Sequence, residues 1–73
     1  MPVTKENVRD VFTYHSPSGD KPARYQRLRD SAHALADVVL DVVPPCADQQ
    51  AAIRLIREAV MTANAAIALD GKV

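Results

Sequence analysis

The chain has 73 residues, nine basic and nine acidic side chains, and a formal net charge of zero. A single domain of this length rarely buries enough apolar surface to stay folded, and usually needs disulfides, a metal or partner chains. The lone cysteine, Cys46, excludes an internal disulfide, and it lies too far from His15 and His33 in sequence to suggest a zinc site. We therefore expect no metal and no cofactor, and we expect partner chains to complete the core.

Composition also bears on partners and location. Zero net charge argues against a DNA or RNA polymer as partner. No apolar run is long enough to span a bilayer, and the first ten residues, MPVTKENVRD, lack the apolar region of a signal peptide. A lone cysteine fits a reducing cytosol. We expect a cytoplasmic protein of a bacterial host, away from membranes.

The first predicted element is a short helix over residues 4–12. Thr4 is a plausible N-cap, and three apolar side chains would share one face: Val8, Val11 and Phe12. A helix this short is not stable without packing on something else. Residues 13–21, TYHSPSGDK, contain several turn formers and predict a loop.

A second helix is predicted over residues 22–43. Pro22 suits its first turn, with Asp20 or Lys21 near the N-cap, and the pair Pro44-Pro45 ends it. Apolar residues repeat along it at alternating spacings of three and four, which indicates a heptad seam: Tyr25, Leu28, Ala32, Leu35, Val39 and Val42.

A third helix is predicted over residues 48–69, with Asp48 as N-cap. It carries two adjacent apolar seams: Ile53, Ile56, Val60, Ala63 and Ile67 in the first, and Ala52, Leu55, Ala59 and Ala66 in the second. The short proline link makes the two long helices antiparallel neighbours. The predicted fold is thus all-α, a single domain over residues 1–73 with a short helix followed by a long antiparallel hairpin.

Two adjacent seams on one helix predict an oligomer. A single partner helix covers one seam, so the second faces another chain. The alternative is that the N-terminal helix folds over part of it. Asn64 is the polar exception in this apolar run; it either fixes the register of the assembly or bonds to the backbone of a neighbouring helix.

The charges of the second helix oppose its macrodipole. Its first two turns carry basic side chains and no acid, and Asp37 and Asp41 lie near its end. Each misplaced charge costs about 0.3–1 kcal/mol near a helix terminus. The basic residues are Lys21, Arg24, Arg27 and Arg29. An anion bound at the helix start would offset the cost. The alternative is a solvated basic face with salt bridges across the oligomer.

Tyr14 and His15 lie in the loop just before this basic start. A planar ring can stack on a nucleobase while a guanidinium pairs with phosphate, and the hydroxyls of Ser16 and Ser31 could add contacts. Taken alone, Tyr14 is more often a packing residue. The candidate ligand-binding residues are Tyr14, His15, Arg24, Arg29 and Ser31.

Nothing in the sequence indicates catalysis. No Gly-rich phosphate loop, carboxylate pair or Ser/His/Asp set can be assembled. Cys46 has no base beside it in sequence, so an incidental small residue is favoured over a nucleophile. We expect a protein that is not an enzyme.

Three strings carry a family resemblance: FTYHSPSGDKPARYQRLRDSAHALA, a proline turn, and AVMTANAAIA. The combination of YHxPxGDxxxRYxxLR with ANAAIA resembles the phage anti-CBASS sponges for cyclic oligonucleotides, which share a helical hairpin with the anti-Thoeris sponges. The resemblance covers roughly residues 12–68. It implies a homo-oligomer, typically a hexamer, that sequesters cyclic dinucleotides and cyclic trinucleotides without cleaving them, so that effector enzymes of the infected host stay inactive.

The resemblance also implies residue roles. Dinucleotide pockets form between protomers in such proteins, and stacking and phosphate binding would fall on Tyr14, Arg29 and Ser31. Family members often have a basic residue after ANAAIA, associated with a separate trinucleotide site, but here Leu69 and Asp70 follow. That departure argues against a trinucleotide site in this chain, unless Lys72 takes the place of the missing basic residue. The alternative function is a structural or regulatory helical oligomer that binds protein and no nucleotide.

Overall fold

The computed structural model describes residues 2–72, and within them it contains three α-helices and no strand. The helices are α1 (Val8–Phe12), α2 (Lys21–Val42) and α3 (Ala47–Ala68). The two long helices pack against each other as a hairpin, and theirs is the one helix–helix contact in the described part of the chain. The predicted all-helical hairpin is confirmed.

The side of α2 that faces α3 differs from the predicted seam toward its C-terminal end. Leu35 and Val42 are 52% and 73% exposed, whereas Ala36 and Val43 are half-buried. The prediction used a 3.5-residue heptad, but a straight helix has 3.6 residues per turn, so the buried line drifts by about 20° in every seven residues. Over three turns this drift is enough to make Ala36 the residue nearest to α3 in place of Leu35. The first seam of α3 is half-buried along its whole length, as predicted.

The closed end of the hairpin is held by Gln49, which is 4% exposed. Its side-chain amide donates to the carbonyl of Val43 at 3.1 Å, which ties α3 to the end of α2. The N-cap of α3 is Cys46, not Asp48 as predicted, and the Cys46 sulfur accepts from the Gln49 backbone N–H at 3.4 Å. The extended backbone after two prolines places residue 46 at the cap and leaves Asp48 in the first turn.

At the opposite end of the hairpin, an ion pair joins Lys21 to Asp70, 3.3 Å apart. After α3 the chain reverses in a Schellman motif, in which Gly71 N–H donates to Ala66 O and Asp70 N–H to Ile67 O. Asp70 has a left-handed φ of 53°, which aspartate tolerates better than most residues. That turn directs the Asp70 carboxylate toward the start of α2.

The N-terminal helix is shorter than predicted, beginning at Val8 instead of near residue 4. The N-cap is Asn7, not Thr4, and the Asn7 side chain bonds back to residue 4: Asn7 Oδ1 accepts from the Thr4 backbone N–H at 2.7 Å. Helix α1 makes no close contact with α2 or α3, and Phe12 is 84% exposed. The alternative that this helix covers the second seam of α3 is therefore wrong.

The hairpin has no buried apolar core of its own. No apolar side chain in residues 2–72 is buried, and the chain exposes 5764 Å², whereas a folded monomer of 7.9 kDa is expected to expose about 4,400 Å². No described helix has the length and apolar character that crossing a bilayer requires. In the same residues, no three His, Cys, Asp or Glu side chains cluster so as to hold a metal ion.

Candidate functional site

The basic start of α2 is half neutralised within the chain. Lys21 pairs with Asp70 at 3.3 Å, and the Arg24 guanidinium lies 3.5 Å from the Asp20 carboxylate. Arg27 and Arg29 have no carboxylate oxygen within 4.0 Å among residues 2–72. The ion pairs of Lys21 and Arg24 are those expected if the cluster has a structural role. Arg27 and Arg29 remain available to bind an anion.

Helix geometry divides the candidate residues between two sides of the hairpin. Each residue advances by 100° around the helix axis, so side chains two positions apart, such as Arg29 and Ser31, point in nearly opposite directions. Arg24 and Ser31 lie together in one groove, and Arg29 lies in another. We call these the Ser31 side and the Arg29 side.

The Ser31 side is basic near the start of α2 and apolar further along. One groove of about 330 Å³ joins Arg24, Arg27 and Ser31 of α2 to Ile67 of α3. A second groove, of about 350 Å³, continues from Ser31 and has almost entirely apolar walls: Leu28, Ala32, Leu35, Ile56, Ala59, Val60 and Ala63. Much of this side is therefore uncovered apolar surface of the kind that marks an interface.

The groove on the Arg29 side is also apolar, but residues with charged or ionisable head groups flank it. This groove has a volume of about 290 Å³ and an almost entirely apolar surface, and three residues with polar head groups line it through their apolar parts: Arg29 and His33 from α2, and Arg57 from α3. Arg29 donates from Nη1 to Gln26 Oε1 at 3.0 Å, a neutral partner. His33 Nε2 lies 3.6 Å from an Asp37 carboxylate oxygen, one turn away along the exposed surface of α2. No acidic side chain lines this groove.

The two loop residues lie apart from both grooves. Tyr14 is 81% exposed in the segment between α1 and α2. The His15 ring is anchored locally, because its Nε2 lies 2.7 Å from the Asp10 carbonyl oxygen. His15 and Asp10 line a smaller hollow of about 190 Å³ at the end of α3, beside Leu69 and Lys72. Within a single chain, Arg24 and Ser31 thus line the same groove, whereas Tyr14, Arg29 and Ser31 do not lie in one site.

Two arginines of these grooves were not among the candidate residues predicted from the sequence. Arg27 belonged to the basic cluster but was not singled out, although its spacing of three from Arg24 and four from Ser31 places all three on one side. Arg57 directly follows the seam residue Ile56, so it flanks the interface with α2. The sequence does not indicate that Arg57 lies across the groove from Arg29, because this depends on the handedness of the hairpin.

Asn64 leaves an acceptor without a donor. Its side-chain oxygen is buried and has no hydrogen-bond partner among the described residues. An unpaired buried acceptor costs about 1–3 kcal/mol. The predicted bond from Asn64 to the backbone of a neighbouring helix is therefore absent for this oxygen within one chain.

Comparison with known proteins gives one match. A family model described as Acb2/Tad1, hairpin domain, matches residues 4–68. The match spans all three helices and confirms the resemblance indicated by the motifs around Tyr14 and Asn64. No curated protein and no solved structure matches the chain.

Proposed function

This chain belongs to the Acb2/Tad1 hairpin family, whose members bind cyclic nucleotide signals, and we propose that it sequesters cyclic dinucleotides as a homo-oligomer, without cleaving them. Held in the oligomer, the signal cannot reach the effector enzymes of an infected bacterial cell. The proposed location is the cytoplasm of that cell. The observation that carries the proposal is the uncompensated Arg29 guanidinium over an apolar groove.

The groove on the Arg29 side suits a phosphorylated planar ligand. A guanidinium binds phosphate oxygens through two parallel hydrogen bonds, and these charge-assisted bonds are stronger than neutral ones. The apolar floor accepts a base or sugar, and an exposed tyrosine can stack on a base. A volume of about 290 Å³ lies at the lower end of the range for small-molecule sites, roughly 300–1,000 Å³. One protomer therefore offers room for part of a dinucleotide.

Assembly would supply the rest of the site. The exposed apolar surface and the absence of a buried apolar core among residues 2–72 support partner chains. Tyr14 and Ser31 lie outside the groove of Arg29 in one chain, so bringing the three residues to one ligand requires side chains from different protomers. We propose a hexamer with dinucleotide sites between protomers.

Support for an additional cyclic trinucleotide site is weaker. Leu69 directly follows the ANAAIA segment, where a basic residue is common in such proteins, and the carboxylate of the next residue, Asp70, is paired with Lys21. That acid repels a phosphate and neutralises one cation of the basic cluster. Lys72 lines the nearby hollow with His15, and these two residues are the remaining support for a trinucleotide there.

The second candidate function is a helical oligomer that binds protein and no nucleotide. The ion pairs of Lys21 with Asp70 and of Arg24 with Asp20 favour it, because they give half of the basic cluster a structural role. It predicts that Arg27 and Arg29 also find carboxylates, on a partner chain.

Calorimetric titration with a 3′,3′-linked cyclic dinucleotide separates these functions. The sponge predicts heat of binding, and stabilisation by about 2.7 kcal/mol when the free ligand is at a hundred times Kd. Mass spectrometry on ligand released by denaturing the protein should recover the nucleotide intact. Absence of both heat and thermal stabilisation at high ligand concentration would rule the sponge out, and recovery of a cleaved product would identify a hydrolase.

A further inference from the structure

The Arg29 side carries a second guanidinium from the other helix, and we propose that Arg57 is a phosphate ligand in the same site. The inference rests on the proposed function and adds a residue to its site. It assigns α3 a part in recognition, whereas the candidate residues from the sequence all lie in α2 or the loop before it.

Position is the first argument. Arg57 of α3 and Arg29 of α2 line the same groove from its two walls, with Ile56 and Val60 in the floor between the helices. The two arginines are 28 positions apart in sequence, so the hairpin register alone brings them together. Because both stand on packed helices, the spacing of the two cations is set by rigid elements and not by a loop.

Uncompensated charge is the second argument. No carboxylate in residues 2–72 lies within 4.0 Å of the Arg57 guanidinium. Its neighbours one turn away on α3 contain no acid: Ile53, Arg54, Val60 and Met61. Arg29 likewise has only the neutral Gln26 as partner. Two like charges beside one groove repel each other, and a bound anion offsets that repulsion because it attracts both.

Charge matching is the third argument. A cyclic dinucleotide carries two phosphodiester groups, each with one negative charge. Two arginines line this apolar groove, and neither has a carboxylate partner in residues 2–72. Arginine is suited to this task because it stays charged and presents a planar fork of donors to phosphate oxygens. Arg57 is thus placed to hold the phosphate that Arg29 does not.

The test compares Arg57→Gln with Arg54→Gln by calorimetric titration of a 3′,3′-linked cyclic dinucleotide. Arg54 is an exposed arginine three positions earlier on the same helix, and it lines none of the grooves described above. Both changes remove one positive charge and keep helix-compatible side chains. We expect Arg57→Gln to raise Kd about tenfold or more, as loss of a charge-assisted hydrogen bond does, and Arg54→Gln to change it by less than about twofold.

Salt dependence and a conservative variant separate a ligand contact from a structural effect. Arg57→Gln should flatten the increase of Kd with salt, because a charge that contacts phosphate is lost, while the mass of the oligomer and its helical content stay those of the wild type. Arg57→Lys should restore part of the affinity, since it keeps the charge and loses the fork.

Two results would overturn the inference alone. One is wild-type binding with equal Kd values for Arg57→Gln and Arg54→Gln. The other is dissociation of the oligomer by Arg57→Gln, which would assign the guanidinium to a carboxylate of a second copy of the chain. Failure of the wild type to bind would overturn the proposed function together with this inference, so the two failures are distinguishable.

Discussion

The hairpin and the N-terminal segment (residues 2–20) are held in place by different kinds of contact. In the hairpin, contacts join residues far apart in sequence, such as Lys21 with Asp70 and the packed faces of α2 and α3. In the N-terminal segment, the side-chain hydrogen bonds span at most five positions, as between Asn7 and Pro2 or His15 and Asp10. Short local contacts without tertiary packing hold a segment only weakly.

This difference separates stability from recognition. The hairpin determines the fold and places Arg29 and Arg57 on rigid helices, while the aromatic candidate Tyr14 lies in the weakly held segment. A ligand that fixes Tyr14 must offset the conformational entropy lost in ordering it, which lowers net affinity. Substitutions at the apolar and packed positions of the hairpin should therefore affect assembly or stability, and a substitution of Tyr14 should affect binding alone.

The largest expected effect comes from a charge on the apolar Ser31 side of the hairpin. Leu35 is 52% exposed and lines the long apolar groove, so Leu35→Asp would place a carboxylate inside the proposed interface between chains. Burying an unpaired charge costs several kcal/mol. We expect the oligomer to dissociate into chains that lose helicity, measured by light scattering after size-exclusion chromatography and by circular dichroism.

Leu40→Asp is the matched control. Leu40 is 53% exposed on the same helix and lines none of the grooves described above. This variant should keep the mass of the wild type. If both variants assemble equally well, the Ser31 side is not the interface, and the apolar surface of the hairpin needs another explanation.

A smaller effect, confined to binding, is expected for Tyr14→Ala. Stacking of one base on an aromatic ring contributes about 1–3 kcal/mol, so Kd for a cyclic dinucleotide should rise about 5- to 150-fold. Because Tyr14 is 81% exposed, the melting temperature and mass of the free protein should not change. Phe12→Ala, at an aromatic residue that is 84% exposed, is the control. Equal changes of affinity in the two variants would contradict a specific stacking role for Tyr14.

The elements of the fold were predictable because their signals are local. Two prolines end α2, turn formers precede it, and the apolar spacing of α3 faces its partner as expected. The errors arose where tertiary structure decides. Leu35 lies off the buried side of α2 because the helix repeats at 3.6 residues instead of 3.5. Cys46 is the N-cap of α3 because of the backbone direction after Pro45.

The site was predictable only in part. The basic cluster is visible in sequence, and helix periodicity alone separates Arg29 from Ser31. Which arginine of α3 faces Arg29 depends on the register and handedness of the hairpin, so Arg57 could not be identified from sequence. Which loop reaches which groove depends on the arrangement of the chains, which no pattern within one chain encodes.

The smallest expected effect lies at the closed end of the hairpin. Gln49→Ala removes the hydrogen bond to the Val43 carbonyl and should lower the free energy of unfolding by about 1 kcal/mol, the low end of the range for an unpaired group, because water can reach a carbonyl at a turn. Urea unfolding at a fixed protein concentration measures it, since the stability of an oligomer depends on concentration. Gln50→Ala, at an exposed neighbour whose side chain bonds only to Gln49 in the described structure, should lower the free energy of unfolding by much less. If the two variants are equally stable, Gln49 does not tie the helices together. If Gln49→Ala instead weakens nucleotide binding at unchanged stability, then the closed end takes part in recognition, and the division between hairpin and N-terminal segment is wrong.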